Sequence, residues 1–172
     1  MISLFEAVNC NVNRKIGVIG GGISGLSVAK RLKDLGNSNV VVFDTGKNNV
    51  GGRCSTRITK VNDNNIIYDH SSQFMTIHDD SDFKKEIQMF IDSKSIIEWK
   101  GSIKRTNDRN EMEEIKDNVN TKRYVGCNGM MTLSDVLSKG LNIRRPCWVS
   151  NLYRQPSGKW KLMSYKEDLG NE

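Results

Sequence analysis

The spacing of apolar residues changes twice near the start of the chain. Lys15–Ile19 is a short β-branched run without alternation, which is typical of a strand covered on both faces in a parallel sheet. Three glycines follow, and the spacing from Ile23 to Leu35 is helical, with Gly36 placed to end the helix. Val28, Leu32 and Leu35 form one apolar stripe of this helix, and Gly25 and Ala29 form a small-residue strip where the helix can lie close against the sheet. Asn39–Asp44 is a second buried run, so the order strand, turn, helix, strand predicts a Rossmann-type βαβ unit.

Further extended segments follow, and most of them are neighbours in the sequence. A hydrophilic turn separates extended segments at about 57–61 and 66–69, which predicts a hairpin. Near the end, 148–153 and 160–165 flank the turn QPSGK and predict a second hairpin. Residues 100–123 are rich in charges of both signs, and this pattern predicts exposed strands and loops with little core.

Two more segments have helical spacing. Apolar residues between Phe83 and Ile91 recur behind a short acidic run and predict a helix over about 81–93. Those between Met130 and Leu137 predict a third helix, which Gly140 ends. The predicted fold class is therefore α/β: a Rossmann-type βαβ unit with an additional antiparallel β-rich segment.

The composition excludes several classes of function. The chain has 172 residues, enough for one domain, and 37% of them are apolar and 27% charged, a balance typical of soluble proteins. No apolar run approaches the ~18 residues of a spanning helix, so we expect no membrane segment. The formal net charge is +6, but Lys and Arg are interleaved with Asp and Glu, so no nucleic-acid partner is indicated. Residues 1–14 lack the apolar core of a secretory signal and form a predicted N-terminal extension.

Cysteine, acidic and histidine residues give no sign of a metal or redox centre. The four cysteines, at positions 10, 54, 127 and 147, form no CxxC pair, so we expect the reduced thiols of a cytoplasmic protein. Asp79, Asp80 and Asp82 lack the spacing of metal ligands and suit the start of a helix instead. Nothing in the sequence around His70 and His78 indicates a nucleophilic dyad, so neither is assigned a catalytic role. No metal and no catalytic side chain are predicted.

Gly20, Gly22 and Gly25 form the pattern GxGxxG between the first strand and the first helix. In this pattern Gly20 permits the tight turn, Gly22 lets the main chain approach a pyrophosphate, and Gly25 lets helix and strand pack closely. The start of the helix offers free N–H groups and the positive end of its dipole to the phosphates. This motif predicts a dinucleotide site.

Asp44 closes the second strand, where a carboxylate can accept both ribose hydroxyls of an adenosine. An acid here disfavours a 2′-phosphate by like-charge repulsion, so FAD or NAD is expected rather than NADP. The alternative role for Asp44 is to cap its own loop. Gly51, Gly52 and Arg53 then supply a second point of close approach.

Five segments together resemble the renalase-like branch of the FAD-dependent amine oxidase superfamily. They are IGVIGGGISGLSVAKRL, VVVFD, VGGRCSTR, DHSSQFMT and YVGCNGM, and the resemblance extends from residue 15 to about 165. A simple NAD-binding Rossmann domain has no reason to carry GGR shortly after its acid. The resemblance implies FAD as the cofactor.

The resemblance also implies roles for individual residues. Ser24 would lie in the phosphate turn, and Arg53 would neutralise the pyrophosphate with charge-assisted bonds. Gln73 and Phe74 would approach the flavin, and Arg57 is a weaker candidate for the same side. The main chain of Val149 would meet the adenine.

Members of this superfamily complete the FAD domain with a late segment near the C-terminus, and this sequence contains no such segment. We therefore expect residues 15–172 to form a partial FAD/NAD(P)-binding domain with an inserted β/α segment at about 80–128. Uncovered sheet edges and apolar surface would follow.

The first functional hypothesis is an FAD-dependent oxidoreductase, or a fragment of one. Its flavin would take a hydride from a small reduced substrate, of dihydronicotinamide or amine type by resemblance, and oxygen would reoxidise the flavin. Two alternatives stay open: a dinucleotide-binding fragment without catalysis, and an NAD-dependent reductase.

Overall fold

The chain forms two compact units in a computed structural model that describes residues 14–78, 83–115, 120–164 and 168–171. The first unit contains the described parts of Met1–Arg53 and Ser134–Glu172, and the second is Cys54–Leu133. Residues 1–13 of the predicted extension, and the acidic residues Asp79, Asp80 and Asp82, lie outside the described residues. The predicted division into an extension, a domain at 15–172 and an insertion at about 80–128 stays a prediction.

The described residues contain short strands and three helices. The helices are α1 (Ile23–Asp34), α2 (Phe83–Asp92) and α3 (Met131–Ser138). The strands are β1 (Ile16–Ile19), β2 (Val40–Phe43), β3 (Thr56–Val61), β4 (Asn64–Asp69), β5 (Met75–His78), β6 (Ile96–Glu98), β7 (Lys104–Thr106), β8 (Met112–Glu114), β9 (Thr121–Gly126), β10 (Asn142–Arg144), β11 (Val149–Arg154), β12 (Trp160–Ser164) and β13 (Asp168–Asn171).

A parallel sheet in the order β1-β2-β10 forms the centre of the first unit. Val40 and Val42 of β2 face Ala29 of α1, whereas Val41 and Phe43 face Leu162 of β12. The alternation of strand side chains thus places α1 on one face and the antiparallel sheet β11-β12-β13 on the other. The fold is Rossmann-like and α/β, as the sequence predicts.

The first strand differs from its prediction. We expected β1 to be covered on both faces, but Ile19 is 52% exposed and Gly17 is also exposed. Within the described residues β1 pairs with β2 alone, so it is an edge strand. The wholly buried strand is β2, which has a partner on each side.

Helix α1 lies against the sheet with the predicted small-residue strip of Gly25 and Ala29, but most of its predicted apolar stripe is not buried. Leu26 and Ala29 are fully buried and Leu32 packs against the same core, whereas Val28 and Leu35 are each about half exposed. The small residue Ala29 lets the helix lie close to the sheet and sets which stripe faces it. The predicted stripe is therefore wrong at two of its three positions.

The second unit is built around the antiparallel sheet β5-β9-β6, which α2 contacts through β5 and β6. Ile87 and Phe90 of α2 are buried, which confirms the predicted helix. The hairpin β3-β4 is also confirmed, and its turn uses positive φ angles at Asn62 and Asp63. The prediction for 100–123 holds for the exposed hairpin β7-β8 but fails at its end, where β9 is a central strand.

Two side chains of the β3-β4 hairpin hold the start of α3. The main-chain N–H of Met130 donates to both carboxylate oxygens of Asp69, at 3.0 and 3.1 Å. The N–H of Met131 donates to Oγ1 of Thr56 at 2.9 Å, and this hydroxyl donates in turn to Asp69. These bonds satisfy N–H groups that a helix start leaves without partners.

Candidate dinucleotide site

The glycine turn between β1 and α1 has the geometry that the GxGxxG pattern predicts. Gly20 has φ +100°, a conformation that side chains disfavour. A Cβ on Gly25 would overlap the carbonyl oxygen of Gly20 and lie 3.3 Å from Cγ1 of Val18. The first glycine therefore allows the turn, and the third allows helix and strand to touch.

A second glycine loop lies directly against this turn, main chain to main chain. Gly22 and Gly51 form a parallel bridge, and the N–H of Gly51 donates to the carbonyl of Gly21 at 2.7 Å. A Cβ on Gly52 would lie 3.3 Å from the Cα of Gly22. The VGGR segment and the GGG segment thus form one corner of nearly bare main chain.

The N-terminus of α1 opens onto this corner without a cap. Gly22 is the N-cap residue and provides no side-chain hydrogen bond, and the first turn contains no acidic residue. The first helical bond runs from the N–H of Leu26 to the carbonyl of Gly22. The N–H groups before it, including that of the exposed residue Ser24, have no helical acceptor. The positive end of the helix dipole is therefore not neutralised by the helix itself.

Asp44 is held in place by hydrogen bonds to both its side chain and its main chain. Its carboxylate accepts the N–H of Gly21 at 2.7 Å and the N–H of Gly46 at 2.8 Å. Its own N–H donates to the carbonyl of Arg144 at 3.0 Å, and its carbonyl accepts the N–H of Cys147 at 2.7 Å. With only 8% of its surface exposed, the residue is fixed beside the turn. The predicted loop-capping role and the predicted position next to the glycine turn are therefore both present.

Charge is divided between the two ends of the site. The main-chain corner and the start of α1 are positive, and Arg53 adds an exposed guanidinium in the single 3-10 turn Gly52–Cys54 that continues the second glycine loop. Asp44 provides the negative end. An adenosine diphosphate has the complementary arrangement, with anionic phosphates at one side of a ribose whose hydroxyls donate hydrogen bonds.

Two further glycines belong to the site and were not singled out in the sequence. A Cβ on Gly21 would lie 2.9 Å from Cγ and Oδ2 of Asp44, and one on Gly46 would lie 2.7 Å from Oδ1. Both glycines are therefore needed for the carboxylate to reach two main-chain N–H groups. The available signal was a third consecutive glycine and a glycine two residues after the acid.

The remaining predicted site residues fall in different places. Val149 begins β11 and packs against the core cluster of Val41, Phe43 and Leu162 in the first unit. Gln73 and Phe74 belong to the second unit, where they line a cavity that is described below. Their predicted contacts with adenine and flavin stay predictions.

Similarity to known proteins is clear at the level of the fold. Residues 18–91 match the family described as NAD(P)-binding Rossmann-like domain. No curated protein matches the sequence.

Several solved structures share the fold at low sequence identity. One from Photorhabdus luminescens subsp. laumondii TTO1, assigned as an FAD-containing monooxygenase, is 17% identical with a TM-score of 0.53 and matches 91% of this chain and 36% of its own. The fatty acid isomerase of P. acnes that produces CLA is 11% identical with a TM-score of 0.68, over 93% of this chain and 57% of its own. Native FqzB is 12% identical with a TM-score of 0.54, over 91% of this chain and 34% of its own. This chain therefore spans between about a third and just over half of the length of these structures.

Two other properties concern the described residues alone. No helix there is long and apolar enough to cross a membrane. No group of three or more His, Cys, Asp and Glu side chains there is placed to hold a metal ion.

Proposed function

We propose that this chain binds FAD through its ADP half and belongs to a flavin-dependent oxidoreductase. The observation that carries this proposal is the corner of nearly bare main chain, where the Gly22 and Gly51 segments meet at the uncapped start of α1 with Asp44 fixed alongside. The two phosphates dock against this corner, because it offers free N–H groups and the positive end of a helix dipole.

Asp44 receives the ribose in this proposal. Each carboxylate oxygen accepts about two hydrogen bonds, and each already accepts one from a main-chain N–H. One acceptor position per oxygen is left for the two ribose hydroxyls. The same carboxylate repels a 2′-phosphate, which favours FAD or NAD over NADP.

The second glycine loop favours FAD over NAD. It lies on the phosphate turn and ends in Arg53, which adds a positive charge beside the two phosphates. One of the structures with the same fold supports this choice by analogy alone, since it is described as FAD-containing and is only 17% identical in sequence.

The finer assignment follows the resemblance to renalase-like amine oxidases. Bound flavin would supply a hydride acceptor for a small reduced substrate, of dihydronicotinamide or amine type. Gln73 and Phe74 would orient the flavin side, and Val149 would meet the adenine through its main chain. The whole activity would belong to a longer enzyme, because this chain spans only part of the length of the structures that it matches.

The second candidate is an NAD-dependent reductase. It is favoured by the family match, whose description covers NAD(P) binding, and by Asp44, which would bind the adenosine ribose of NAD as well as that of FAD.

Purification of the 172-residue chain separates these possibilities. An absorbance band at about 450 nm, together with calorimetric binding of FAD, is the expected result. Colourless protein that binds ADP and NAD but not FAD would support the reductase, and binding of none of the three would overturn the dinucleotide site itself.

The role of Arg53 is tested by its replacement. Arg53→Ala should lower FAD retention by roughly tenfold, as expected for loss of one charge-assisted contact. Arg154→Ala, an exposed arginine at the end of β11, is the matched control and should retain FAD normally. Equal retention by the two variants contradicts the pyrophosphate role.

A further inference from the structure

A cavity of about 470 Å³ lies within the second unit, on the sheet β5-β9-β6. Small-molecule pockets commonly have volumes from ~300 to ~1,000 Å³. Its lining combines two aromatic rings, two aliphatic side chains and three polar residues: Gln73, Phe74, Trp99, Ser102, Ile103, Lys104 and Val125.

The strand register explains why the two aromatic residues meet. Phe74 directly precedes β5 and Trp99 directly follows β6, so both flank the central strand β9. Continuing the register by one residue places Phe74 beside Val125 and Trp99 beside Arg123, and the N–H of Trp99 donates to the carbonyl of Arg123 at 2.8 Å. Arg123 and Val125 share one face of β9, because they are two residues apart. The rings therefore lie on the same face of the sheet.

The rings are nearly parallel. Their centroids are 6.1 Å apart and their planes differ by 14°. The indole also lies against Gly101, since a Cβ there would lie 2.5 Å from Cε2 of Trp99. Two flat apolar surfaces in one orientation favour a planar ring over a puckered one.

Positive charge accompanies this aromatic surface. Lys104 lines the cavity, and the guanidinium of Arg123 lies 5.6 Å from the centroid of Phe74. None of the described lining residues is acidic. Glu114 is the cross-strand neighbour of Lys104, but the described residues include no ion pair between them. The ammonium is therefore available to an anionic ligand.

We propose that this cavity binds a planar aromatic carboxylate. The ring packs against the stacked pair of Phe74 and Trp99, and the carboxylate meets Lys104, with Ser102 and Gln73 as hydrogen-bond partners. This ligand site does not depend on the dinucleotide corner at Gly22 and Gly51, but it shares Gln73 and Phe74 with the flavin side that the resemblance implies, so it is tested on the flavin-free chain.

Titration of the flavin-free chain with 2-naphthoate tests the proposal, with calorimetry and the indole N–H signal of Trp99 as readouts. Two matched probes separate shape from charge: decalin-2-carboxylate keeps the acid but not the planar ring, and 2-naphthylmethylamine keeps the ring but reverses the charge. Binding of 2-naphthoate at least about tenfold tighter than either probe is expected. Absence of 2-naphthoate binding, or equal binding of the three probes, overturns the proposal.

Three substitutions place the ligand in the cavity. Lys104→Met should weaken 2-naphthoate binding only by roughly fivefold, because Lys104 is exposed and a solvent-exposed charge pair contributes little. Lys100→Met, an exposed lysine outside the lining, should not change it. Gly101→Ala displaces the Trp99 indole without changing any lining side chain and should also weaken binding.

If Gly101→Ala alters the fold, as seen by circular dichroism, the comparison of Lys104→Met with Lys100→Met still tests the proposal. Equal affinities in the two lysine variants overturn the proposed contact. Because FAD binding is measured separately on the same chain, failure of this site and failure of the flavin site give different results.

Discussion

Replacement of Gly22 by alanine separates folding of the site from binding at the site. Gly22 has φ −76° and ψ 175°, which alanine adopts without strain. A Cβ there would lie 3.9 Å from the carbonyl oxygen of Gly51 and 4.0 Å from the Cα of Gly52, both ordinary contacts. The protein alone therefore has room for the methyl group.

The expected magnitudes for Gly22→Ala follow from these distances. The free energy of unfolding should stay within about 1 kcal/mol of its original value, because alanine restricts the unfolded chain but is a poorer N-cap residue than glycine, and the two effects offset each other. Affinity for ADP and FAD should fall at least about tenfold, since a methyl forced against a closely packed group costs roughly 1–3 kcal/mol. Urea denaturation measures the first quantity and isothermal calorimetry the second.

Gly25→Ala is the comparison variant. Its Cβ would overlap the carbonyl oxygen of Gly20, which no side-chain rotation relieves, so stability and binding should both fall. The reasoning is refuted if Gly22→Ala binds FAD as tightly as the unmodified chain. It is equally refuted if Gly22→Ala unfolds as readily as Gly25→Ala.

Four further substitutions test the described packing and hydrogen bonds by urea denaturation. Asp44→Asn should cost roughly 1–3 kcal/mol, because either the buried N–H of Gly21 or the half-buried N–H of Gly46 loses its acceptor. An unchanged midpoint would contradict these two bonds. Leu26→Ala should lower the free energy of unfolding by about 2–5 kcal/mol, and Val28→Ala by no more than about 0.5 kcal/mol. Equal losses would mean that Val28 is buried, as the apolar stripe predicts. Asp69→Asn should lower the free energy of unfolding by about 1–2 kcal/mol and increase amide exchange at the start of α3. A Met130 amide that stays protected in this variant would contradict the bond to Asp69.

The βαβ unit could be predicted because its signals are local. The run at β2, the glycines after β1 and Gly36 beyond α1 all act within a few residues of their position in the chain, and Gly36 has the positive φ expected at a helix end. The face of α1 could not be fixed in the same way. Leu26 and Val28 are both apolar, and only contact with the sheet decides which of them is buried.

The short strands β5, β9 and β10 were missed because their pairing depends on distant partners. Asn142–Arg144 has only three residues and pairs with β2 about one hundred residues earlier. Thr121–Gly126 begins in a charged stretch, yet it is central because Met75 and Ile96 pair on its two sides. Strand propensity carries little of this information, since tertiary neighbours determine it.

Within the candidate site, the sequence predicted which residues lie at the glycine turn better than it predicted the hydrogen bonds that hold them there. Gly20 and Gly25 have the geometry assigned to them, and Asp44 lies against the turn. The sequence pattern leaves Gly21 unspecified, although its N–H holds the carboxylate. A motif records which positions exclude side chains near a ligand, and it does not record which positions orient the acid.

The bonds at Asp44 have a consequence for engineering cofactor preference. A change from the unphosphorylated to the 2′-phosphorylated nucleotide is usually attempted by replacing this one acid with a small neutral residue. Here such a replacement would also release Gly21 on one segment and Gly46 on another. The preference for the unphosphorylated nucleotide and the shape of the turn thus depend on the same side chain. A successful switch therefore requires redesign of the loop from Asp44 to Asn49 as a unit.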